Sequence, residues 1–355
     1  MNRVLNRTII AAAACVVVLA MSTTAKSQTR YRVTRIITAH GDAGLPRAIN
    51  NHGQVTGSSG GAHGSDTAAF IAQPGGKGSQ LASLPSGDYS EAFGINDVGE
   101  IVGSSNTAST LRATRWNGGS PAPLSLPAGR TASEAFAVNN SGTVAGYVSG
   151  APGMQASLWA NDGSVQLLGT ISNGETSQAT AVNTQGDAAG WTQKNGIARA
   201  FLWTAGTMNF LPGGSASRAN GINDSQEVVG ACTGPEGDRA CLWGKDGLVQ
   251  LGTLPGGDYA EAFDINNAET VVGSADTSLG LRAFVWTKSN GMQDLNSLIP
   301  PAAGVVISAA IAINEQGQIV AYGSTNHDLT QDRNVDLDHG VHAGPTFVFL
   351  LTPIP

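Results

Sequence analysis

Residues 254–286 read LPGGDYAEAFDINNAETVVGSADTSLGLRAFVW, and every part of this stretch returns elsewhere in the chain. The pair Ile265-Asn266 recurs as Ile49-Asn50, Ile95-Asn96, Val138-Asn139, Val182-Asn183, Ile222-Asn223 and Ile313-Asn314. Seven residues after the Asn stands Gly273, matched by Gly57, Gly103, Gly146, Gly190 and Gly230, while the last copy has Ala321 there. The closing AFVW (283–286) returns as ATRW (113–116), ASLW (156–159), AFLW (200–203) and ACLW (240–243), with degenerate forms AFIA (69–72) and TFVF (346–349). The opening LPGGDYAEAFDI is nearly the LPSGDYSEAFGI of residues 84–95. Seven copies with one internal spacing make the chain a repeat array, and repeats decide the fold before any local propensity does.

Phe284 and Trp286 are two residues apart, so they share one face of a strand, and Ala283 and Val285 share the other. Both faces are apolar, as a sheet stacked between two neighbours requires. Each unit holds four short strand candidates; in the second copy they are 91–95, 100–104, 111–116 and 122–126, separated by NDVG (96–99) and NGG (117–119). Four strands in about 43 residues is the period of a propeller blade. The ends are complementary. YRVTRII (31–37) stands before the first Ile-Asn, where the other units have a fourth strand, and the chain stops at FVFLL (347–351), the Trp-strand equivalent. An all-β, seven-bladed β-propeller of four-stranded antiparallel blades is therefore expected, with the N-terminal strand completing the last blade and removing an exposed edge. A rod-like solenoid needs no such complementarity.

The first residues read as a targeting signal: Arg3 and Arg7, a fourteen-residue apolar run from Thr8 to Met21, then Ala25-Lys26-Ser27 as a cleavage site. The run is short of the about 20 residues that a membrane span needs. Residues 1–27 are expected to be a signal peptide and 28–355 a single repeat domain, exported to the periplasm or beyond, without membrane insertion. Losing Arg3, Arg7 and Lys26 takes the net charge from −7 to −10, which disfavours nucleic acid as a partner. A monomer is expected. Cys232 and Cys241 flank a turn-like TGPEGD (233–238), and in an oxidising compartment a bridge across that hairpin is reasonable, two buried thiols being the alternative.

The set Ile-Asn…Gly-x-Val-Val-Gly, Ala-Phe-x-Trp and Leu-Gly-Thr-Leu-Pro-Gly-Gly resembles the HAF-repeat family of bacterial proteins, which are expected outside the cell. The resemblance covers about residues 31–353. The His of the family's motif is replaced here by Arg199, Arg239 and Arg282. The resemblance implies location and architecture and transfers no catalytic residue.

The chain carries few signs of catalytic chemistry. Gly57-Ser58-Ser59-Gly60-Gly61 fits Gly-x-Ser-x-Gly, but no helical period follows, as a nucleophile elbow requires. In the last copy His327, Asp332, Asp336 and His339 make a weak metal candidate, yet Leu337 and Ala343 stand where a calcium loop needs Gly and Glu. No cofactor is implied. The Trp of each AFxW is expected to pack between blades. Glu91, Glu134 and Glu261 occupy equivalent sites after the linker and can form part of a ring. The loops that vary in length share a face with the linkers between blades, and binding residues concentrate on such loops. Asp88, Tyr89, Tyr147, Trp191, Asp258 and Tyr259 are the candidate ligand-binding residues on that face. With no catalytic constellation found, the chain is expected not to be an enzyme but a binding module for protein or glycan. A propeller glycan hydrolase or lyase, or a structural surface protein, is the alternative.

Overall fold

The computed structural model describes residues 29–354, apart from 42, 61–66, 152, 171–175, 235–236, 326–334, 337–340 and 343–345. Seven four-stranded antiparallel sheets follow one another in a ring. Their innermost strands are Gly44–Ile49, Ser90–Ile95, Arg130–Val138, Thr176–Val182, Ser217–Ile222, Ala260–Ile265 and Val305–Ile313, here blades 1 to 7. Arg30–Ile36 is the outermost strand of blade 7 and pairs with Phe347–Ile354, Tyr31 opposite Pro353 and Ile36 opposite Val348. The expected seven-bladed propeller, closed by its N-terminal strand, is the observed architecture.

The packing explains the doubly apolar strands. Seven hydrophobic clusters occur among the described residues, each between two successive blades rather than at a single centre. Between blades 2 and 3, for instance, Val102 and Ala113 meet Ala135, Val144 and Trp159. The repeated Trp residues are the largest part of this filling: Trp116, Trp159 and Trp243 are buried, and their indole N–H groups donate to the carbonyls of Ala82, Ser125 and Pro212 in the preceding linker. A buried indole thus satisfies its polar atom while pinning one blade to the connection before it.

The recurring Asn closes the ring. Asn50 Nδ2 donates to the Asn96 carbonyl (3.0 Å), Asn96 to Asn139 (2.9 Å) and Asn139 to Asn183 (2.8 Å). Asn183, Asn223 and Asn266 continue the relay, and Asn314 returns it to the Asn50 carbonyl (3.0 Å). Each Oδ1 meanwhile accepts backbone N–H groups of its own turn, as Asn139 does from Ser141 and Thr143. One side chain per blade therefore shapes the hairpin and bonds the next blade, which Asp, lacking the donor, cannot do.

The Gly seven residues later answers a close approach. A Cβ on Gly103 would stand 1.9 Å from the Glu91 carbonyl oxygen, with 2.0 Å at the equivalent Gly146, Gly190, Gly230 and Gly273. Blade 7 departs because its inner strand carries an extra irregularity between Ile307 and Ala309, which moves the close approach from Ala321 to Gly323. Gly103→Ala is expected to destabilise the protein by about 3 kcal/mol, since backbone rather than a flexible side chain must yield. A lowered urea midpoint with unchanged slope is the check.

The first three strands of blade 2 fall within two residues of expectation. The fourth strand of blade 2 is Ser120–Pro123, not 122–126. Gly118 and Gly119 both have positive φ (58° and 87°), making a two-residue turn, so pairing resumes at once with Asn117 opposite Ser120. Cys232 and Cys241 are joined in a disulfide across the hairpin of blade 5, with Cα atoms 6.0 Å apart. Residues 1–27, and His327, Asp332 and His339 of the metal candidate, lie outside the described residues; of Asp336 only the backbone pairing with Val341 is described.

Candidate functional site

Each inner strand runs from the linker face toward the Asn ring, so residues five and three before the Asn point into the central channel on successive pleats. The upper layer is Leu45, Glu91, Glu134, Gln178, Arg218, Glu261 and Ala309 in blade order. Opposite them in the second strands stand Ser58, Ser104, Tyr147, Trp191, Ala231, Ser274 and Tyr322. Below this layer opens a cavity of about 790 Å³ walled by Arg47, Phe93, Phe136, Thr180, Asn220 and Phe263, among others.

Three tyrosine–carboxylate pairs converge on this linker-side mouth. Tyr89 Oη donates to Glu91 Oε2 (2.8 Å), Tyr147 to Glu134 Oε1 (2.5 Å) and Tyr259 to Glu261 Oε2 (2.8 Å). Glu91 is buried, and Arg47 grips its Oε1 with Nε (2.8 Å) and Nη2 (2.7 Å). Asn220 Nδ2 donates to Glu261 Oε1 (2.8 Å). Burial first, and then the adjacent glutamate charge, raise the pKa of all three phenols well above the ordinary tyrosine value. These hydroxyls keep their protons and act as donors. Aromatic rings line the wall beneath: Phe93 and Phe136 meet edge to face with centroids 5.2 Å apart, and Phe136 lies 5.9 Å from Tyr147.

Of the six candidate residues, the structure brings four together at the mouth: Tyr89, Tyr147, Trp191 and Tyr259. Asp88 and Asp258 are exposed at the rim. Their backbone N–H groups, with those of Tyr89 and Tyr259, donate to the side chains of Asn106 and Asp276, so these turns hold the tyrosines in place. Ser59, the serine of the Gly-x-Ser-x-Gly match, is the buried last residue of the strand Val55–Ser59. Its hydroxyl donates to the Ala68 carbonyl (3.4 Å) and lies 3.0 Å from His40 Nδ1, and the next described element is the strand Ala68–Ala72, not the helix of a nucleophile elbow. Among the described residues no group of three His, Cys, Asp or Glu is arranged to hold a metal ion. No helix among them is long and apolar enough to cross a membrane.

Arg47, Arg218, Tyr322 and Asp264 are channel residues that the sequence reading did not single out. Asp264 stands where the other blades have Ala48, Gly94, Ala137, Ala181, Gly221 and Ala312. Its carboxyl accepts the N–H groups of Ile265 and Ile313, both at 2.9 Å, and burial nevertheless pushes its pKa up to about 7. The folded chain therefore holds a proton that an unfolded Asp releases at about pH 4. This group's stabilising contribution is complete below about pH 4 and is lost as pH rises toward 7. Wild-type urea midpoints are expected to fall between pH 4.5 and 8 by more than those of Asp264→Asn, which removes this titration. Parallel pH profiles of the two proteins would refute it.

No protein-family model matches the chain, and no curated protein matches it by sequence. Solved structures match its fold. A virginiamycin B lyase from Staphylococcus aureus superposes with a TM-score of 0.56 at 14% identity, over 92% of this chain and 100% of that one. A streptogramin B lyase gives 0.54 at 12% identity, over 92% and 98%. The β-propeller domain of the trilobed protease from Pyrococcus furiosus gives 0.51 at 8% identity, over 80% and 93%. The expectation that the chain is not an enzyme is corrected here, because the neighbours that share its fold include lyases. The physical reason is plain: a propeller gathers side chains from blades that are dozens of residues apart, so the lack of a linear motif excludes nothing.

Proposed function

We propose that the protein is an exported enzyme acting on carbohydrate at the linker-side mouth of its channel, as a glycan hydrolase or lyase. The observation that carries this is the convergence of three tyrosine–carboxylate pairs, from blades 2, 3 and 6, on one end of a channel with aromatic walls. A carboxylate beside a phenol that keeps its proton offers a base and an acid within one hydrogen bond. Glu134 with Tyr147 is the pair assigned to the reacting bond, since Arg47 already neutralises Glu91. The solved lyases supply a precedent for chemistry on the fold and nothing about the substrate.

Export through residues 1–27 and kinship with the HAF-repeat proteins belong to the same proposal. N-terminal sequencing of the secreted protein is expected to begin at Gln28. Activity is tested by incubating the mature chain with a polysaccharide panel and following both new reducing ends and the ultraviolet absorbance of a new C=C bond. Reducing ends alone indicate hydrolysis, and both signals indicate a lyase. Binding without either signal would sink the enzymatic reading in favour of an exported protein- or glycan-binding module. The half-exposed Trp191 at the mouth suits that second role.

A further inference from the structure

The mouth is not symmetric in charge. The acids stand on blades 2, 3 and 6, whereas blade 5 places Arg218 in the same layer. Its neighbour Glu261 on blade 6 takes its hydrogen bonds from Tyr259 and Asn220. Arg218 leans the other way, and its guanidinium lies 5.5 Å from the Trp191 ring centroid on blade 4. The residue paired with it in the second strand is Ala231, which leaves room for that tilt. Arg218 is exposed, and among the described residues its N–H groups have no hydrogen-bond or ion-pair partner. A guanidinium placed over an indole face keeps its donors for a planar or tetrahedral anion and loses little freedom on binding it. Along the same wall, Gln178 of blade 4 lies between Arg218 and the Glu134–Tyr147 pair of blade 3, and it adds both an amide donor and an acceptor.

We infer that the substrate is a sugar chain bearing an anionic substituent, a carboxylate or a sulfate, which docks on Arg218 against Trp191 and so sets the neighbouring residue of the chain before Glu134. This rests on the proposed carbohydrate reading and adds to it a substrate class and a direction across the mouth. Gln178 then meets ring hydroxyls between the two ends. Attraction by the whole protein plays no part, because the mature chain is acidic; the recognition is one local ion pair.

Three oligosaccharides on one backbone separate the outcomes: an oligogalacturonate, the neutral α-1,4-galactose oligomer made by reducing its carboxylates, and that neutral oligomer sulfated, each titrated into the full mature chain by calorimetry, with tryptophan fluorescence as a second readout. Wild-type protein is expected to prefer at least one charged oligomer over the neutral one by tenfold or more. Arg218→Gln is expected to weaken the charged oligomers at least tenfold more than the neutral one, erasing the preference, and Arg218→Lys to keep part of it. Which charged oligomer is preferred tells carboxylate from sulfate. The inference is overturned if all three bind alike, if Arg218→Gln weakens all three by one factor, or if none binds. Turnover of some neutral glycan in the broader panel would leave the enzymatic reading standing in each of those cases. A circular-dichroism melt matching wild type confirms that the variants are folded.

Discussion

A chain that begins at residue 38 is expected to lose cooperative folding altogether. Arg30–Ile36 makes seven registered pairs with the last strand, and its side chains enter two different inter-blade clusters. Tyr31 packs with Leu298, Phe347 and Phe349 between blades 6 and 7, and Ile36 with Ile49, Val55 and Val348 between blades 7 and 1. Both are buried. Burying Tyr31, Val33 and Ile36 contributes about 5 kcal/mol in sum, and removing their strand also leaves Phe347–Ile354 as an open apolar edge. That loss is comparable with the net stability of about 5–15 kcal/mol that a whole domain commands. The ring adds a further cost, because the Asn relay runs through the same seam, from Asn314 to Asn50. Far-ultraviolet melts and gel filtration should show a broad, low transition and association. A circular permutant that joins residue 355 to residue 29 and opens in the 127–129 linker should melt like the parent, since it keeps every pairing. A truncated chain that melts as sharply as the whole would remove the N-terminal strand from its closing role.

The fold was legible because its signals repeat with a fixed phase. Ile-Asn, Gly and Ala-Phe-x-Trp each reported a local need that every blade shares: a turn, a close approach, a filled interface. What the Asn does beyond its turn, donating to the next blade, was not legible, because the acceptor is a backbone carbonyl some forty residues away, as Asn139 is for Asn96. The site was half legible for a related reason. Tyr89, Tyr147, Trp191 and Tyr259 were noticed for their place near variable loops. Arg47, Arg218 and Asp264 were missed because they sit inside strands, where repetition reads as architecture. A residue that differs from its counterparts at an equivalent inner-strand position is the useful signal. Asp264 among Ala and Gly, and Arg218 among Glu, Gln, Leu and Ala, become visible once the copies are aligned on the Asn. The lack of a linear catalytic motif excludes no enzyme, because the three Glu–Tyr pairs at the mouth sit on three separate blades.

Glu134→Gln is the substitution expected to cost most in activity. It keeps the shape of the side chain and an oxygen for Tyr147 Oη, but it removes the charge and the ability to take a proton. On an identified substrate, kcat should fall about 10²–10⁴-fold, the usual worth of a positioned acid–base group. Tyr147→Phe should lower kcat as well, by taking away the proton that burial and Glu134 hold on the phenol at neutral pH. Neither variant opens a large cavity, so melting temperatures should stay close to that of the parent. Glu91→Gln provides the contrast. Glu91 is buried under Arg47 and Tyr89, so the change leaves the half-exposed guanidinium without its counter-charge and should cost about 2 kcal/mol of stability. Its effect on kcat should be much the smaller, because the pair is already neutralised. The two glutamates thus separate chemistry from architecture within one layer of the channel. A Glu134→Gln enzyme that keeps its rate, beside a Glu91→Gln enzyme that loses it at full stability, would move the reacting bond from blade 3 to blade 2.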